Sequence, residues 1–196
     1  MQLILDICAM QPSKKVLRTY YLNKRKALAN EAHAAGSLAL AQQCLSLPLW
    51  DKSIFHLFMS IQRQKEVDTH PLLTLLQGRD KQVVLPKVEG KTLSHFLLTD
   101  DTLLKENTWG IAEPQQGIPI TPAQLEVVFV PLLAFDKKGH RVGYGKGFYD
   151  SFLAECPKTT CKIGLSFFAP IPEIEGIEKT DIPLDYVVTP SKIYSF

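Results

Sequence analysis

The residues between positions 139 and 150 combine closely spaced glycines with charged side chains, a composition that suits phosphate chemistry. Alternate glycines at 143, 145 and 147 allow the backbone to turn tightly and to approach a ligand closely. A helix that starts at Gly147 would direct its unpaired N–H groups toward such a ligand. Arg141 and Lys146 add positive charge, and Asp150, one turn into the helix, can hold Mg²⁺ against phosphate oxygens. The segment therefore predicts a phosphate-binding loop.

The glycine pattern differs from both standard nucleotide-binding motifs. In a dinucleotide-binding GxGxxG fingerprint, the third glycine would stand where this chain has Phe148. In a P-loop, the first glycine would replace His140, and a serine or threonine would replace Gly147. The segment is therefore either a phosphate loop of another type or an ordinary connecting loop.

A second candidate for anion binding lies near the start of the chain, where charge is unevenly placed. Residues 11–30 contain six basic side chains and no acidic one, although the whole chain carries a formal net charge of only +2. Lys14 and Arg18 are four residues apart, so a helix would place them on one face. A basic helix face is often only a solvated surface, and both interpretations remain open at this point.

The hydrophobic pattern predicts the elements that must position these groups. Short and nearly all-apolar runs predict strands of a sheet that is covered on both faces. The predicted strands are 54–61, 83–85, 127–130, 163–168 and 186–188, and the predicted helices between them are 70–77 and 147–154. Because strands and helices alternate, we expect an α/β fold with a mostly parallel central sheet. Ligands of such sheets bind at the carboxyl ends of the strands, where the strand order reverses.

Two amphipathic helices are predicted before the first strand. Ser13 is a candidate N-cap of the first helix, and Asp68 and Thr69 are cap candidates for the helix at 70–77. The apolar face expected for the first helix carries Val16, Leu17, Tyr20 and Leu28, and that of the second, after Asn30, carries Ala35, Leu38, Gln42 and Leu45. We expect these faces to be buried.

Composition excludes several classes of protein. With 196 residues, 45% of them hydrophobic, the chain can bury a sizeable core, and 11 glycines and 13 prolines are too few for a low-complexity chain. No apolar stretch reaches the length of a membrane-spanning helix, and the first ten residues lack the basic start of a secretion signal. We expect a single domain at 13–196, preceded by an extension at 1–12.

The cysteines and histidines do not predict a metal centre. The four cysteines, at 8, 44, 156 and 161, form no CxxC pair, and the five histidines, at 33, 56, 70, 95 and 140, form no ligand cluster. Cys156 and Cys161 are close enough in sequence to bridge or to share a metal. Reduced thiols in a cytoplasmic protein are the simpler expectation.

Five segments, in this order and spacing, resemble the 5-formyltetrahydrofolate cyclo-ligase family, also called methenyltetrahydrofolate synthetases. They are Lys14-Lys-x-x-Arg18, Glu66-Val-Asp-Thr69, Leu85-Pro-Lys87, Thr108-Trp109-Gly110 and the run from Phe135 to Asp150. The resemblance covers about residues 13 to 190 and implies a three-layer α/β/α fold. It implies a C–N bond-forming ligase that converts 5-formyltetrahydrofolate into 5,10-methenyltetrahydrofolate, with ATP as co-substrate and Mg²⁺ as cofactor.

The resemblance also implies roles for residues at the ATP end of the site. Residues that match ATP-binding positions are Lys14, Arg18, Arg141, Gly143, Tyr144, Gly145, Lys146, Gly147 and Phe148. Lys146 and Arg141 would be catalytic, with Lys146 neutralising the transferred phosphoryl group. Asp150 and Asp181 match metal ligands. Asp185 is an alternative to Asp181, because the alignment is loose there.

At the folate end, the resemblance implies contacts with the substrate from Met59, Glu66, Trp109, Phe148 and Tyr149. Glu66 would bind the pterin, whose N3–H and exocyclic amine offer two donors to one carboxylate. The chain departs from the family in three places. Residues 61–65 form a longer stretch than in many relatives, so the assignment of Met59 depends on the alignment. Phe148 replaces a usual tyrosine, and Tyr144 replaces an arginine that some relatives have.

Two other functions agree with parts of the sequence. The basic helix, with Tyr20 and Tyr21, could bind RNA, but the net charge is modest and no RNA-binding signature is present. A sugar-phosphate isomerase or an acyl-CoA transferase could use a similar sheet, but neither gives Glu66 and the Lys14/Arg18 pair a shared purpose. We therefore expect a monomeric cytoplasmic enzyme that binds ATP and 5-formyltetrahydrofolate, with or without a polyglutamate tail, and neither nucleic acid nor membranes.

Overall fold

Four helices and eleven strands make up residues 13–196, the part of the chain that the computed structural model describes. Helices α1 to α4 comprise Lys14–Lys26, Asn30–Cys44, His70–Gln77 and Phe148–Glu155. Strands β1 to β11 comprise Ile54–His56, Gln82–Glu89, Thr92–Leu97, Leu104–Glu106, Ala112–Pro114, Val127–Pro131, Ala134–Phe135, Arg141–Val142, Cys161–Leu165, Tyr186–Val188 and Ile193–Ser195. Short 3₁₀ turns comprise Gln62–Gln64 and Pro122–Gln124. The extension predicted at 1–12, which includes Cys8, lies outside the described residues.

Seven strands form the central sheet, in the order β11-β10-β9-β6-β1-β2-β3. The five inner strands are parallel to one another, and the edge strands β11 and β3 are antiparallel to their neighbours. The predicted α/β fold with a mostly parallel sheet is confirmed. Each predicted run contains a strand, although the run at 54–61 is a strand only over Ile54–His56. Beyond it, Phe58 and Ser60 bond to residues 67–69, which turns the chain away from the sheet.

The strand order reverses at β1, where the chain first builds the sheet on one side and then on the other. From β1 it adds β2 and β3, and it then returns to add β6, β9 and β10 beyond the opposite edge of β1. In doubly wound sheets, ligands bind in the crevice at the carboxyl ends of the strands that border such a reversal. The loop at 57–69 leaves β1 at this position, and the β7–β8 hairpin leaves β6 there.

Helices cover both faces of the sheet. Alternate residues of the central strands, including Phe55, Val83, Leu85 and Phe129, pack with α2 and α3 in one buried cluster. Their neighbours, including Val84, Val128 and Val130, pack with Phe152 and Leu153 of α4 in a second cluster. Helix α1 packs through Leu17 and Tyr21 on the segments around the β7–β8 hairpin. The three-layer arrangement places α1 and α4 beside the crevice.

The buried faces of the two N-terminal helices differ from the predicted faces. Helix α1 buries Leu17, Tyr21 and Arg25, whereas Val16 is 51% exposed. Helix α2 buries Ser37, Leu40, Ala41 and Cys44, whereas Ala35, Leu38, Gln42 and Leu45 are all exposed. Small side chains allow α2 to lie close to its neighbours, and a Cβ atom on Gly36 would lie only 3.1 Å from the Phe167 ring. The prediction was correct for Leu17 but wrong for Val16 and Leu38, because large apolar residues are often exposed singly.

The helix starts lie where the sequence predicts them, but the caps work differently. Ser13 and Thr69 occupy the N-cap positions of α1 and α3 without a side-chain cap bond. Instead, Asp68 Oδ1 accepts the His70 N–H at 3.1 Å. Helix α4 begins at Phe148, with Gly147 as its N-cap.

Cys44, Cys156 and Cys161 are free thiols, so the alternative of a Cys156–Cys161 bridge is wrong. Burial raises the pKa of Cys44 to about 12 and that of Cys156 and Cys161 to about 11, which makes the thiols poor nucleophiles at neutral pH. Among residues 13–196, no helix has the length and apolar composition required to cross a membrane.

Candidate active site

One cavity of about 1060 Å³ lies at the sheet reversal, and every site residue predicted from the sequence lines it. These residues are Lys14, Arg18, Met59, Glu66, Trp109, Arg141, Gly143, Tyr144, Gly145, Lys146, Gly147, Phe148, Tyr149, Asp150 and Asp181. They come from α1, the loop after β1, the loop before β5, β8, the glycine-rich loop with the start of α4, and the segment before β10. The cavity has room for two ligands of nucleotide size.

A buried aspartate holds the β7–β8 hairpin that leads into the glycine-rich loop. Asp136 Oδ1 accepts the N–H groups of Lys138 at 2.8 Å and His140 at 3.0 Å. Its Oδ2 atom contacts the His140 ring at 3.0 Å and accepts the Ile174 N–H at 3.2 Å. Asp136 was not among the site residues predicted from the sequence. An aspartate that ends an apolar run and is followed by a Lys-Lys-Gly turn is the signal that could have identified it.

The glycine-rich loop depends on backbone conformations that favour glycine. Gly145 and Gly147 have φ angles of 82° and 75°, in the left-handed region. Arg18 of α1 lies against this loop, since its Nε atom donates to the Gly143 carbonyl at 2.8 Å. A Cβ atom on Gly145 would lie 3.0 Å from the guanidinium carbon of Arg18. Arg18 therefore supports the loop as well as lining the cavity.

Two ion pairs lie at one end of the cavity. Arg141 Nη2 donates to Asp150 Oδ1 at 2.6 Å, and the Lys14 ammonium bonds to Asp181. Burial alone would raise the pKa of Asp181, but hydrogen bonds from Lys14 and the Glu178 N–H hold it below its usual value. Burial lowers the pKa of Arg141, and the carboxylates of Asp150 and Asp181 oppose that shift, so the guanidinium stays cationic.

Asp181 and Asp185, the two alternatives for the second metal ligand, differ in whether they line the cavity. Asp185 forms an ion pair with Lys162 at 2.8 Å and accepts the Lys162 N–H at 2.7 Å, at the start of β9. It is not among the residues that line the cavity. Of the two carboxylates, Asp181 alone has access to a ligand there.

The carboxylates of Asp150 and Asp181 fit a magnesium ion that arrives with a nucleotide. The Ile182 N–H, next to Asp181, donates to Asp150 Oδ1 at 3.3 Å. Asp150 Oδ2 and Asp181 Oδ1 have no partner among residues 13–196. No group of three or more His, Cys, Asp or Glu side chains in that range could hold a metal ion. Mg²⁺ typically uses one or two carboxylates together with phosphate oxygens, so this donor pair suits it.

Lys146 differs from Lys14, Arg18 and Arg141, the other cations predicted to bind ATP, and within the described part of the chain it shares its lack of a partner with Lys179, which also lines the cavity. Its side chain is exposed and forms no hydrogen bond or ion pair with any residue from 13 to 196. Lys14 and Arg141 are paired with carboxylates, and Arg18 is bonded to the loop. An ammonium group without a partner costs least to redirect toward a ligand, which suits Lys146 to bind an anion.

The other end of the cavity has apolar and aromatic walls. Met59 is buried, and Phe58 and Ile61 near it also line the cavity, so this wall is apolar whichever of the three the alignment assigns to the ligand. Trp109 is 38% exposed, and its ring centroid lies 6.5 Å from that of Phe148. The Tyr149 hydroxyl is buried without a partner among residues 13–196. Flat heterocycles bind well between such walls.

Glu66 places a buried carboxylate in this end of the cavity. Its Oε2 atom accepts the Ile61 N–H at 2.7 Å, and its backbone carbonyl bonds to His33 Nε2 at 2.6 Å. Burial raises the pKa of the Glu66 carboxyl, whereas Arg25, the Ile61 amide and the Tyr144 hydroxyl oppose the shift. Both the backbone and the side chain of Glu66 are therefore held in place before any ligand binds.

Arg25 of α1 is a member of this cluster that the sequence analysis missed. It is only 3% exposed, and its guanidinium donates to the Gln64 carbonyl at 2.9 Å, to the Leu132 carbonyl at 3.4 Å and to the Tyr144 hydroxyl. The surrounding lysines made the helix resemble a solvated basic face. Tyr144 carries no charge of its own, but its hydroxyl accepts a hydrogen bond from the guanidinium of Arg25.

The long stretch at 61–65 folds into a compact turn between α1 and the loop before β5, which contains Trp109. It forms the 3₁₀ turn Gln62–Gln64, and Lys65 follows in the left-handed region with a φ of 47°. The Lys65 ammonium bonds to the Leu28 carbonyl, and Arg63 donates to the Thr108 carbonyl at 3.4 Å. These bonds connect the segment that carries Glu66 to both neighbours.

Comparison with known proteins identifies relatives over most of the chain. Residues 10–190 match the model of the 5-formyltetrahydrofolate cyclo-ligase family. A 5-formyltetrahydrofolate cyclo-ligase of Haemophilus influenzae is 38% identical over 128 residues, which cover 61% of this chain and 67% of that protein. A probable 5-formyltetrahydrofolate cyclo-ligase of Schizosaccharomyces pombe is 30% identical over 202 residues, covering 94% and 98% of the two chains. The structure of an Aquifex aeolicus 5,10-methenyltetrahydrofolate synthetase superposes with a TM-score of 0.80 at 31% identity, over 93% of this chain and 92% of that one.

Proposed function

This chain belongs to the 5-formyltetrahydrofolate cyclo-ligase family, and we propose that it uses ATP and Mg²⁺ to close 5-formyltetrahydrofolate to 5,10-methenyltetrahydrofolate, releasing ADP and phosphate. The observation that carries the proposal is the single cavity that joins a cationic, glycine-rich end to an aromatic end with the buried Glu66. One end suits the phosphates of ATP, and the other suits a reduced pterin. A ligase that couples ATP to ring closure needs both ligands in contact.

The chemistry explains why a phosphate site must adjoin the folate. A formamide is a poor electrophile, so its oxygen must become a leaving group before N10 can attack the formyl carbon. Attack of that oxygen on the γ-phosphorus releases ADP and gives an N5 iminium phosphate. N10 then adds to the carbon and loses its proton, and the C–O bond breaks to release phosphate. Phosphoryl transfer requires mainly positioning and charge compensation from the protein.

The ATP end provides that compensation through cations that are positioned in advance. Lys14, Arg18 and Arg141 would bind the phosphates together with the N–H groups of the loop from Gly143 to Phe148. Lys146, which has no partner in the described part of the chain, would neutralise the negative charge on the phosphoryl group during its transfer. Asp150 and Asp181 would hold Mg²⁺, which screens the charge of the phosphate oxygens when it is bound.

At the folate end, Glu66 would accept the N3–H and the exocyclic amine of the pterin. Met59, Trp109, Phe148 and Tyr149 would line the ring and the formyl group, where they exclude water from the activated intermediate. Exclusion of water matters because hydrolysis of the iminium phosphate would waste ATP.

An absorbance assay tests the reaction directly. The purified protein is mixed with 5-formyltetrahydrofolate, ATP and Mg²⁺, and the near-ultraviolet band of the methenyl product is followed, with omission of ATP as the control. We expect the band to grow only in the complete mixture. A flat trace from folded protein would leave a resemblance of fold and nucleotide site without this reaction.

Lys146→Ala tests the catalytic assignment within the same assay. We expect turnover to fall roughly 10²-fold, by analogy with the removal of one donor to developing charge. Lys137→Ala is the matched control, because Lys137 is an exposed lysine on the preceding hairpin that does not line the cavity. Near-normal turnover of Lys146→Ala would rule out the role.

We also propose that the protein acts as a monomer in the cytoplasm, without nucleic acid or membrane partners. Three cations of α1 support the exclusion of an RNA-binding face, because Lys14, Arg18 and Arg25 contact Asp181, Gly143 and Tyr144 and do not face solvent together. Light scattering during size exclusion would detect a dimer. Binding of RNA that weakens steeply with salt would contradict the exclusion of nucleic acid.

A further inference from the structure

A second buried carboxylate lines the cavity and takes no part in the function proposed above. Glu113 of β5 is 6% exposed. Its Oε1 atom accepts the Val88 N–H of β2 at 3.0 Å. Its Oε2 atom has no hydrogen-bond partner among residues 13–196, and Glu113 forms no ion pair with any of them. One oxygen of a nearly buried carboxylate is therefore available to a ligand.

The surroundings of Glu113 determine which ligand it can accept. Pro86, Val88, Leu93 and Ile111 line the cavity from the same β2, β3 and β5 region, and all four are apolar. Lys105 lies opposite Glu113 on β4 but is exposed and forms no ion pair with it, and burial of an unpaired acceptor is costly. The complementary ligand brings an N–H donor on an apolar ring system.

The β4–β5 hairpin presents Glu113 and Trp109 to the same ligand. Asn107 Oδ1 accepts the N–H groups of Trp109 at 2.8 Å and Ile111 at 3.1 Å, which fixes the turn between the two strands. Ile111 and Glu113 are two residues apart on an extended chain, so they share one face. Both line the cavity together with Trp109.

From this geometry we propose that Glu113 is a second folate-contacting carboxylate, whose Oε2 atom accepts a hydrogen bond from a secondary-amine N–H of the substrate. The reduced pterin and its linker carry two such donors, N8–H and N10–H, that Glu66 does not use. Glu113 and Glu66 then contact the folate from two different elements of the fold. The inference rests on the proposed function, because it takes 5-formyltetrahydrofolate as the ligand.

Glu113→Gln separates this role from a structural one. The amide has a single oxygen, and the Val88 N–H uses it, so the variant keeps the bond between β5 and β2 but cannot accept from the folate. We expect the Kd for 5-formyltetrahydrofolate, measured by calorimetry, to rise at least about tenfold, since hydrogen bonds to charged groups are among the strong ones. The Kd for ATP with Mg²⁺ should stay within twofold, which also shows that the variant is folded.

Two further variants keep the test decisive. Glu106→Gln changes an exposed carboxylate on β4 of the same hairpin, and we expect no change in either affinity. Glu113→Ala removes both oxygens and should weaken folate binding at least as much as Glu113→Gln. Unchanged folate affinity in both Glu113 variants would overturn the inference, whereas failure of the unaltered protein to bind or convert 5-formyltetrahydrofolate would overturn the proposed function.

Discussion

Two buried polar clusters differ in how they accommodate burial: one lines the cavity, and the other reaches it only through Tyr149. In the first cluster, Arg25 donates to two carbonyls and to Tyr144, and Glu66 accepts the Ile61 N–H. In the second cluster, four buried polar atoms have no hydrogen-bond partner among residues 13–196. They are both ring nitrogens of His56, Nδ1 of His95 and the hydroxyl of Tyr149. The first cluster satisfies its charged side chains with hydrogen bonds. The second contains rings that remain neutral.

The physical cause of neutrality in the second cluster is burial without hydrogen bonds. Burial lowers the pKa of His95 to about 4 and shifts the pKa of His56 well below its usual value, and a charge on His95 would oppose protonation of His56 further. The two rings lie 5.1 Å apart, and both pack on Phe152 of α4. They contribute to the structure as aromatic core residues.

The difference shows that pairing, rather than burial, distinguishes a supporting site network from core packing. The first cluster joins α1, the loop after β1 and the glycine-rich loop, three segments that the sheet alone does not hold together. The second joins β1, β3 and α4, which already pack through the hydrophobic core. Loss of the first should loosen the cavity, whereas loss of the second should affect mainly stability.

The largest effect is expected from removal of the cation of the first cluster. Arg25→Met fills similar space but leaves two carbonyls and the Tyr144 hydroxyl without their donor, and Glu66 without its cation. We expect the free energy of unfolding to fall by about 3 to 5 kcal/mol, as in other broken buried charge networks. Urea denaturation measures the loss. Lys26→Met, an exposed cation in the last turn of α1, is the control, and an equal loss in both variants would contradict the comparison.

A smaller effect is expected when the carboxylate of the same cluster loses its charge. Glu66→Gln can still accept the Ile61 N–H but can no longer accept two pterin donors. We expect the Kd for 5-formyltetrahydrofolate to rise by roughly thirty- to hundredfold, the value of one or two charged hydrogen bonds, with little change for ATP. Titration calorimetry with each ligand measures both. Glu31→Gln, on the exposed first turn of α2, should change neither, and equal losses for both ligands would argue against the assignment of Glu66.

The first cluster also shows where sequence reasoning ends. The glycine-rich loop and the strands could be predicted because their signals are local: spacing of glycines and uninterrupted apolar runs. The burial of Arg25 could not, because a helix with six nearby basic residues does not reveal which one faces inward. Glu113 was missed for a related reason, since its bond to Val88 joins strands that lie 25 residues apart in the chain.

The smallest effect concerns the second cluster and its dependence on pH. His56→Phe replaces a ring with two unpaired nitrogens by an aromatic ring that needs no partners. Since the folded state disfavours protonated His56, the unfolded state takes up the proton first as the pH falls below about 6.5. The contribution of His56 to stability is therefore complete above that pH and is lost progressively toward its low folded-state pKa.

We therefore expect the unaltered protein to lose about 1.4 kcal/mol more stability than His56→Phe when the pH falls from 7.5 to 5.5, because one proton that binds only the unfolded chain is worth that much per pH unit. Urea denaturation of both proteins at the two pH values measures the difference. His70→Phe, at an exposed histidine on α3 that contacts Asp68, is the control for the removal of a surface imidazole. An equal loss of the free energy of unfolding in the unaltered protein and in His56→Phe would mean that His56 is protonated in the folded state and has a hydrogen-bond acceptor there. The contrast between a paired and a neutral cluster would then fail.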